Sequence, residues 1–225
     1  MQPKPFALTI LDIVSLIVLA VAAYLALVFA PTEAVMGQVQ RVFYFHVGTA
    51  WVGLLGFLFA AVSGIVYLIT KDAKWDRVEV AAVEVSVVFF FITIVLGSIW
   101  ARPVWNTWWT WDARLTFTLI LFFLFLGYRA LRGAVQDPSE RARFSAVLGI
   151  MGLILVPFVH LTVYLFRTLH PQPIVLKPSE PSLPWSMLRT LLTSLFFYTV
   201  LLLGFLTTRY GLGKRAQFAG GDDGR

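Results

Sequence analysis

Six long apolar runs separated by short polar stretches set the frame of this chain. They fall at about 7–29, 47–69, 80–99, 115–131, 144–166 and 187–208, each close to the ~20 residues a helix needs to cross the hydrocarbon of a bilayer. Breaker residues bound them. Pro31 closes the first run, Asp137-Pro138 is a turn signal before the fifth, and Pro171, Pro173, Pro178, Pro181 and Pro184 stiffen the connector before the sixth. The pattern predicts an all-α integral membrane protein: one membrane domain over 1–225, a six-transmembrane-helix bundle with short loops. A Gly-rich polar tail at 210–225 is expected to be disordered. The first run is longer than a signal-peptide core and lacks a small-residue cleavage site after it, so it is expected to remain as a span. No repeat of the kind that marks inverted-repeat transporters is visible.

Composition sharpens this. The chain is 59% hydrophobic and 13% charged, about half the charged fraction of a soluble domain. With no cysteine, disulfides, thiolate metal sites and cysteine nucleophiles are excluded. The net charge of +6 is spread over short loops and reads as membrane orientation rather than affinity for nucleic acid. Twelve of the eighteen Lys and Arg fall on the side that holds both termini, which puts both termini in the cytoplasm. Span parity adds a result that needs no charge rule. Connections 1–2, 3–4 and 5–6 share one face of the membrane, so His46 at the start of span 2, the segment between spans 3 and 4, and His170 after span 5 meet at one interface. By the charge rule it is the outer one.

That segment, residues 100–116, is the chemically unusual part. Trp100, Trp105, Trp108, Trp109 and Trp111 are five of the chain's eight tryptophans, with Asp112 and Arg114 set beside them. If helical, Trp105, Trp108, Trp109 and Asp112 share a face at i, i+3, i+4, i+7. Tryptophan also collects in interfacial belts, but this density with interleaved charge suits a stacking platform better. Neutral imidazole ligates haem iron and borderline metals, flat macrocycles stack on indoles, and carboxylates pair with guanidinium. Arg41, Arg102, Arg114 and Arg167 all lie near this interface. Two imidazoles, a Trp floor and arginines fit a porphyrin better than a bare metal such as zinc, which wants three or four ligands. His160, about 15 Å deeper along the same helix, is expected to help satisfy the backbone near Pro157 rather than to share a ligand. Asp12 and Glu84, each about a turn from a helix end, are expected to be solvated or ion-paired.

Trp105-Asn106-Thr107-Trp108-Trp109-Thr110-Trp111-Asp112-Ala113-Arg114-Leu115-Thr116 resembles the "WWD" signature of the haem-handling membrane proteins of cytochrome c biogenesis. The length and six spans resemble the CcmC (haem exporter protein C) branch. Arg41-Val-Phe-Tyr-Phe-His46 and Thr168-Leu-His170 resemble its two external histidine contexts. Asn106 stands where the motif has Gly, and Gly48 where a Pro commonly follows the first histidine by two. The resemblance implies a non-enzymatic protein that holds haem b at the outer face of the cytoplasmic (inner) membrane. His46 and His170 would be axial metal ligands. Trp105, Trp108, Trp109 and Trp111 would be the stacking floor, and Asp112 and Arg114 would orient the haem edge or a partner. The implied partners are the periplasmic haem chaperone CcmE, the ATP-binding-cassette pair CcmA and CcmB, the small subunit CcmD and membrane lipid, with no nucleic acid. The chain carries no G-x-x-x-x-G-K-[ST] loop, so ATP hydrolysis would come from another chain.

A di-haem cytochrome b-like electron-transfer subunit is the alternative; it would need a histidine facing His160 in another span, and none is present. An intramembrane serine hydrolase would need a nucleophile setting that no serine has, and a transporter would need matched broken helices.

Overall fold

The computed structural model describes residues 5–172, 175, 179 and 182–221, with side chains of the last helix described to residue 215. Lys4, Lys177, Arg225 and much of the proline-rich connector lie outside the described residues. Six helices form: α1 (Phe6–Tyr24, continued by a π turn, Leu25–Phe29), α2 (Val42–Thr70, entered through a 3₁₀ turn at Gln38–Arg41), α3 (Ala73–Trp105), α4 (Ala113–Ala134), α5 (Pro138–Leu165) and α6 (Trp185–Gly221). All six are long and apolar enough to cross a membrane. Among the described residues β-structure is confined to an isolated bridge between Glu33 and Gly37.

α3 and α5 begin ahead of their apolar stretches because polar caps, not hydropathy, set where they start. Asp72 caps α3 by accepting from the Lys74 N–H at 2.9 Å. Asp137 caps α5 by accepting from the Ser139 and Glu140 N–H groups at 2.9 and 2.8 Å, with Pro138 in the first turn. Such caps satisfy orphan donors that the first helical turn leaves open. The expected loop at Asp137-Pro138 is therefore a helix start. At the other end of the chain, α6 does not stop near Thr208 but runs on to Gly221, so the expectation of a disordered tail from 210 is corrected. Around residue 210 it lies along the start of α1: the Thr208 hydroxyl donates to Asp12 at 3.1 Å, and a Cβ at Gly211 would lie 3.1 Å from Leu8. That packing supports the helix past Gly211, a residue that disfavours it. Residues 222–225 are outside the description.

α2 is the hub, packing on α3, α5 and α6, while α4 lies on α5 and α1 on α6. At the centre Phe57 of α2 stacks flat on Phe125 of α4, centroids 3.8 Å apart and planes 3° from parallel, with Phe90 of α3 edge-on to it. Small residues let helices close: a Cβ on Gly64 would meet the Ala146 backbone at 3.1 Å, the small-on-small contact favoured where lipid gives helices no hydrophobic drive to associate. Ile13, Leu16 and Ile17 of α1 are more than half exposed, as expected of a face that lipid covers.

Ionisable groups inside the helices are mostly paired. Glu84 binds Arg129 and Arg209, so α3, α4 and α6 are tied by one carboxylate. Arg132 makes a two-pronged pair with Asp76, at 2.6 and 3.0 Å, and also donates to Ser145 at 3.1 Å. Beside that pair, Glu79 is fully buried and both its carboxyl oxygens lack a hydrogen bond among the described residues.

Candidate functional site

α3 carries Trp100 and Trp105 on its last turns and stops at Asn106, whose φ is 55°. That left-handed conformation is cheap for Gly and next cheapest for Asn, so Asn106 meets the same backbone requirement as the Gly of the resembled motif. Arg102 reinforces the stop by donating to the Asn106 carbonyl at 2.7 Å. Residues 107–112 are not helical. The expected helical face of Trp105, Trp108, Trp109 and Asp112 therefore does not form; the loop instead folds back, with the Thr107 hydroxyl bonded to the Trp109 carbonyl at 3.0 Å.

The folded loop roofs a small cavity of about 60 Å³ lined by Trp100, Trp105, Trp108, Trp109, His46 and His170, with Gly97, Leu115 and Leu169 among the residues closing its walls. The two histidines are 124 positions apart in the chain (170 minus 46). His46 sits one turn into α2, not before it, and its Nδ1 bonds the Thr93 carbonyl of α3 at 3.0 Å. The Thr93 hydroxyl holds Thr49 at 3.0 Å, which pins the two helices together just below the ring. Trp100 lies beside that ring, with centroids 6.0 Å apart. His170 arrives on the segment after α5, where its Nδ1 bonds the Pro171 carbonyl at 2.8 Å and its N–H donates to the Thr168 hydroxyl at 3.1 Å.

A carbonyl only accepts, so in each neutral ring the proton is on Nδ1 and the lone pair on Nε2. Burial, followed by the nearby Arg114 charge, drives His170 down to about 3 from its ordinary 6.5. It is therefore neutral, and able to ligate, throughout the physiological range. His160 stands apart: it bonds its own helix at the Val156 carbonyl, 3.4 Å away, and does not line this cavity.

Asp112, Arg114 and Trp111 lie outside the cavity lining. Asp112 caps α4 by accepting from the Leu115 N–H at 3.1 Å, takes the Thr110 hydroxyl at 2.9 Å, and reaches the Leu169 N–H at 3.4 Å. Burial raises its carboxyl, but these donors and the Thr168 hydroxyl outweigh it and hold the group below the usual carboxylate value. One anion thus clasps the Trp loop to the segment carrying His170. Arg114 donates across to the Val159 carbonyl of α5 at 3.4 Å. Trp111 is 75% exposed and meets Trp109 edge-on at 5.9 Å. Of the other arginines offered for a carboxylate, Arg41 donates to the Ala26 and Leu27 carbonyls at the end of α1 and Arg102 to Asn106, while Arg167 is exposed outside the lining.

Two glycines shape the site without a signal in the sequence pattern. A Cβ on Gly97 would come within 2.9 Å of His46 Cε1, and one on Gly48 would overlap the Tyr198 ring. A small residue two positions after His46 is what lets α6 approach α2.

A family model described as heme exporter protein C (CcmC) matches residues 4–215. Heme exporter protein C of Haemophilus influenzae is 34% identical over 198 residues, covering 87% of this chain and 80% of its own length. That of Bradyrhizobium diazoefficiens is 35% identical over 187 residues, 83% of this chain and 71% of its own. A ccmC-like mitochondrial cytochrome c biosynthesis protein of Marchantia polymorpha is 34% identical over 192 residues, 84% and 81% respectively.

Proposed function

The chain belongs to the heme exporter protein C family, and from that premise we propose that it is a membrane haem-handling protein of c-type cytochrome maturation. Haem is its cargo. The observation that carries the reading is one cavity lined by both His46 and His170, each with Nδ1 held by a carbonyl and Nε2 left as the ligating nitrogen.

In this reading the two Nε2 atoms take the axial positions of haem b, and Trp105, Trp108 and Trp109 stack against the macrocycle, joined by Trp100. Trp111, outside the lining, offers its exposed face to a partner, and Asp112 and Arg114 act by holding loop and helix in place. Bis-imidazole ligation supplies retention without catalysis, which suits a non-enzymatic carrier. The lysine and arginine distribution favours a multi-pass protein of the cytoplasmic (inner) membrane with both termini cytoplasmic and this cavity on the outer face. From there haem would pass to a periplasmic chaperone, CcmE, with CcmA, CcmB and CcmD as the accompanying exporter subunits. A di-haem electron-transfer role would need a second histidine pair, and His160 has no facing partner.

The test is a visible spectrum of the detergent-purified chain titrated with haem. Bis-imidazole bands are expected in the wild type, weakened in His46→Ala or His170→Ala and absent from the double variant. Unchanged bands in the double variant refute the assignment.

A further inference from the structure

At the opposite end of the bundle from the histidines, where α3 begins and α6 ends, a second cavity opens sideways between these two helices. It has a volume of about 270 Å³ and is lined by Glu84, Val85, Val88 and Phe89 of α3 with Phe205 and Arg209 of α6. Two guanidiniums meet one carboxylate there: Glu84 Oε1 takes Arg129 of α4, and its Oε2 takes Arg209. The two arginine side chains are 48% and 39% exposed and that of Glu84 only 16%, so the acid is enclosed while the cations face out. No other acid balances them. α4 and α6 carry no acidic residue, Asp76 of α3 is held by Arg132, and Glu79 is fully buried. Among the described residues the group therefore keeps one positive charge.

Its level suits a lipid headgroup. Arg129 lies five residues before Ala134, the end of α4, which is roughly 7.5 Å of helix. The 22 residues of α4 give a length of roughly 33 Å, close to the ~30 Å hydrocarbon core. Val88 and Phe89 stand about one turn past Glu84, and Phe205 one turn before Arg209 on the antiparallel α6, so the apolar part of the cavity runs from the charges toward the bilayer centre. Val88 is 56% exposed, and Phe89 and Phe205 meet between the two helices with centroids 5.9 Å apart.

We propose that this cavity binds an anionic phospholipid of the leaflet opposite the histidine cavity, with its phosphate on Arg129 and Arg209 and an acyl chain along Val88, Phe89 and Phe205. Guanidinium pairs with phosphate through two-pronged, charge-assisted hydrogen bonds. A cation facing hydrocarbon gains from a counter-charge that brings its own apolar tail. A soluble anion would leave the apolar slot unused, and a zwitterionic headgroup would bring a further cation against the arginines. The site is separate from the haem cavity and does not depend on haem binding.

Native mass spectrometry of the full chain in neutral detergent, titrated with phosphatidylglycerol or phosphatidylcholine of the same acyl chains, reads the affinity of the first bound lipid. The wild type is expected to prefer phosphatidylglycerol about tenfold, the scale of one charge-assisted hydrogen bond. Glu84→Gln/Arg129→Gln/Arg209→Gln removes the charge without orphaning the acid and should bring the ratio to within about twofold. Lys71→Gln/Arg143→Gln removes two exposed cations from the same end and should keep the preference. Should the triple variant not fold, Val88→Trp at its exposed position fills the slot with every charge intact. It should weaken phosphatidylglycerol roughly fourfold, the scale of one methylene withdrawn from contact; undiminished binding there counts against the slot. Equal affinities in the wild type, or a preference that persists in the neutral triple variant, overturn the proposal. So does glycerol phosphate competing as strongly as the lipid, which would mark a soluble-anion site, or a dimer mass abolished by Val88→Trp, which would mark an interface between copies.

Discussion

Gly97→Ala isolates the positioning of His46 from its chemistry, because it leaves both histidines and every tryptophan in place. The added methyl would sit 2.9 Å from His46 Cε1 and 3.3 Å from Nδ1. Carbon atoms pack comfortably at ~3.5–4.0 Å, so the ring must retreat by roughly 0.6 Å or more. Its Nδ1 bond to the Thr93 carbonyl starts at 3.0 Å. A retreat of that size away from α3 stretches it to roughly 3.6 Å, beyond a hydrogen bond. Losing that bond costs about 0.5–1.5 kcal/mol of orientation and releases the tautomer that presents Nε2. Overpacking adds about 1–3 kcal/mol, offset in part by the ~1 kcal/mol that Ala gains over Gly in a helix. Haem affinity should fall about tenfold, corresponding to ~1.4 kcal/mol, and the melting temperature should drop by roughly a few degrees. Gly127→Ala is the control, since a Cβ there meets nothing within 4 Å; it should bind haem normally and melt no lower than wild type. Titration by absorbance and thermal melts of both variants decide the matter. Equal haem affinity in Gly97→Ala and wild type would refute the claim that the α2–α3 contact aims His46.

Asp112→Ala removes the α4 cap and the tie to Leu169, at a cost of about 1–2 kcal/mol for the cap alone, while Asp112→Asn keeps the cap; identical melts for the two would contradict the clasp. His170 sets a pH dependence with a definite sign. Its folded value near 3 lies below the ordinary 6.5, so between those values the unfolded chain binds the extra proton and stability falls as pH drops, by up to ~1.4 kcal/mol per unit for one full proton. Chemical denaturation from pH 7 to 4 should show that slope reduced in His170→Ala, and the same slope in both proteins would argue against a buried neutral His170. Arg132→Met strips the cation from Asp76 and the neighbouring Glu79 and should cost about 3–5 kcal/mol. Asp76→Leu/Arg132→Met should recover much of that loss, and a single variant as stable as wild type would mean the pair is dispensable.

Much of this was legible in the residues one after another. Hydropathy and length identify six spans, because burying an apolar helix in lipid is a local decision made by about twenty consecutive side chains. Parity alone brought His46, the Trp-rich segment and His170 to a common end, since each span reverses the chain. The pairing of Glu84 inside a helix could be anticipated from the cost of an unpaired charge. What the sequence could not settle is which indoles face inward. Helical periodicity over 105–112 pointed to one face, but the left-handed Asn106 ends α3 and turns Trp108 and Trp109 into the cavity while Trp111 faces out. Asp112 reads as a ligand-side acid in sequence and becomes a clasp only because Leu169, 57 residues later, is brought against it. Gly97 carries no pattern at all until His46 of another helix leans on it. Helix formation and membrane insertion depend on neighbours in the chain, whereas the shape of the cavity depends on contacts between segments far apart in sequence, and only packing fixes those.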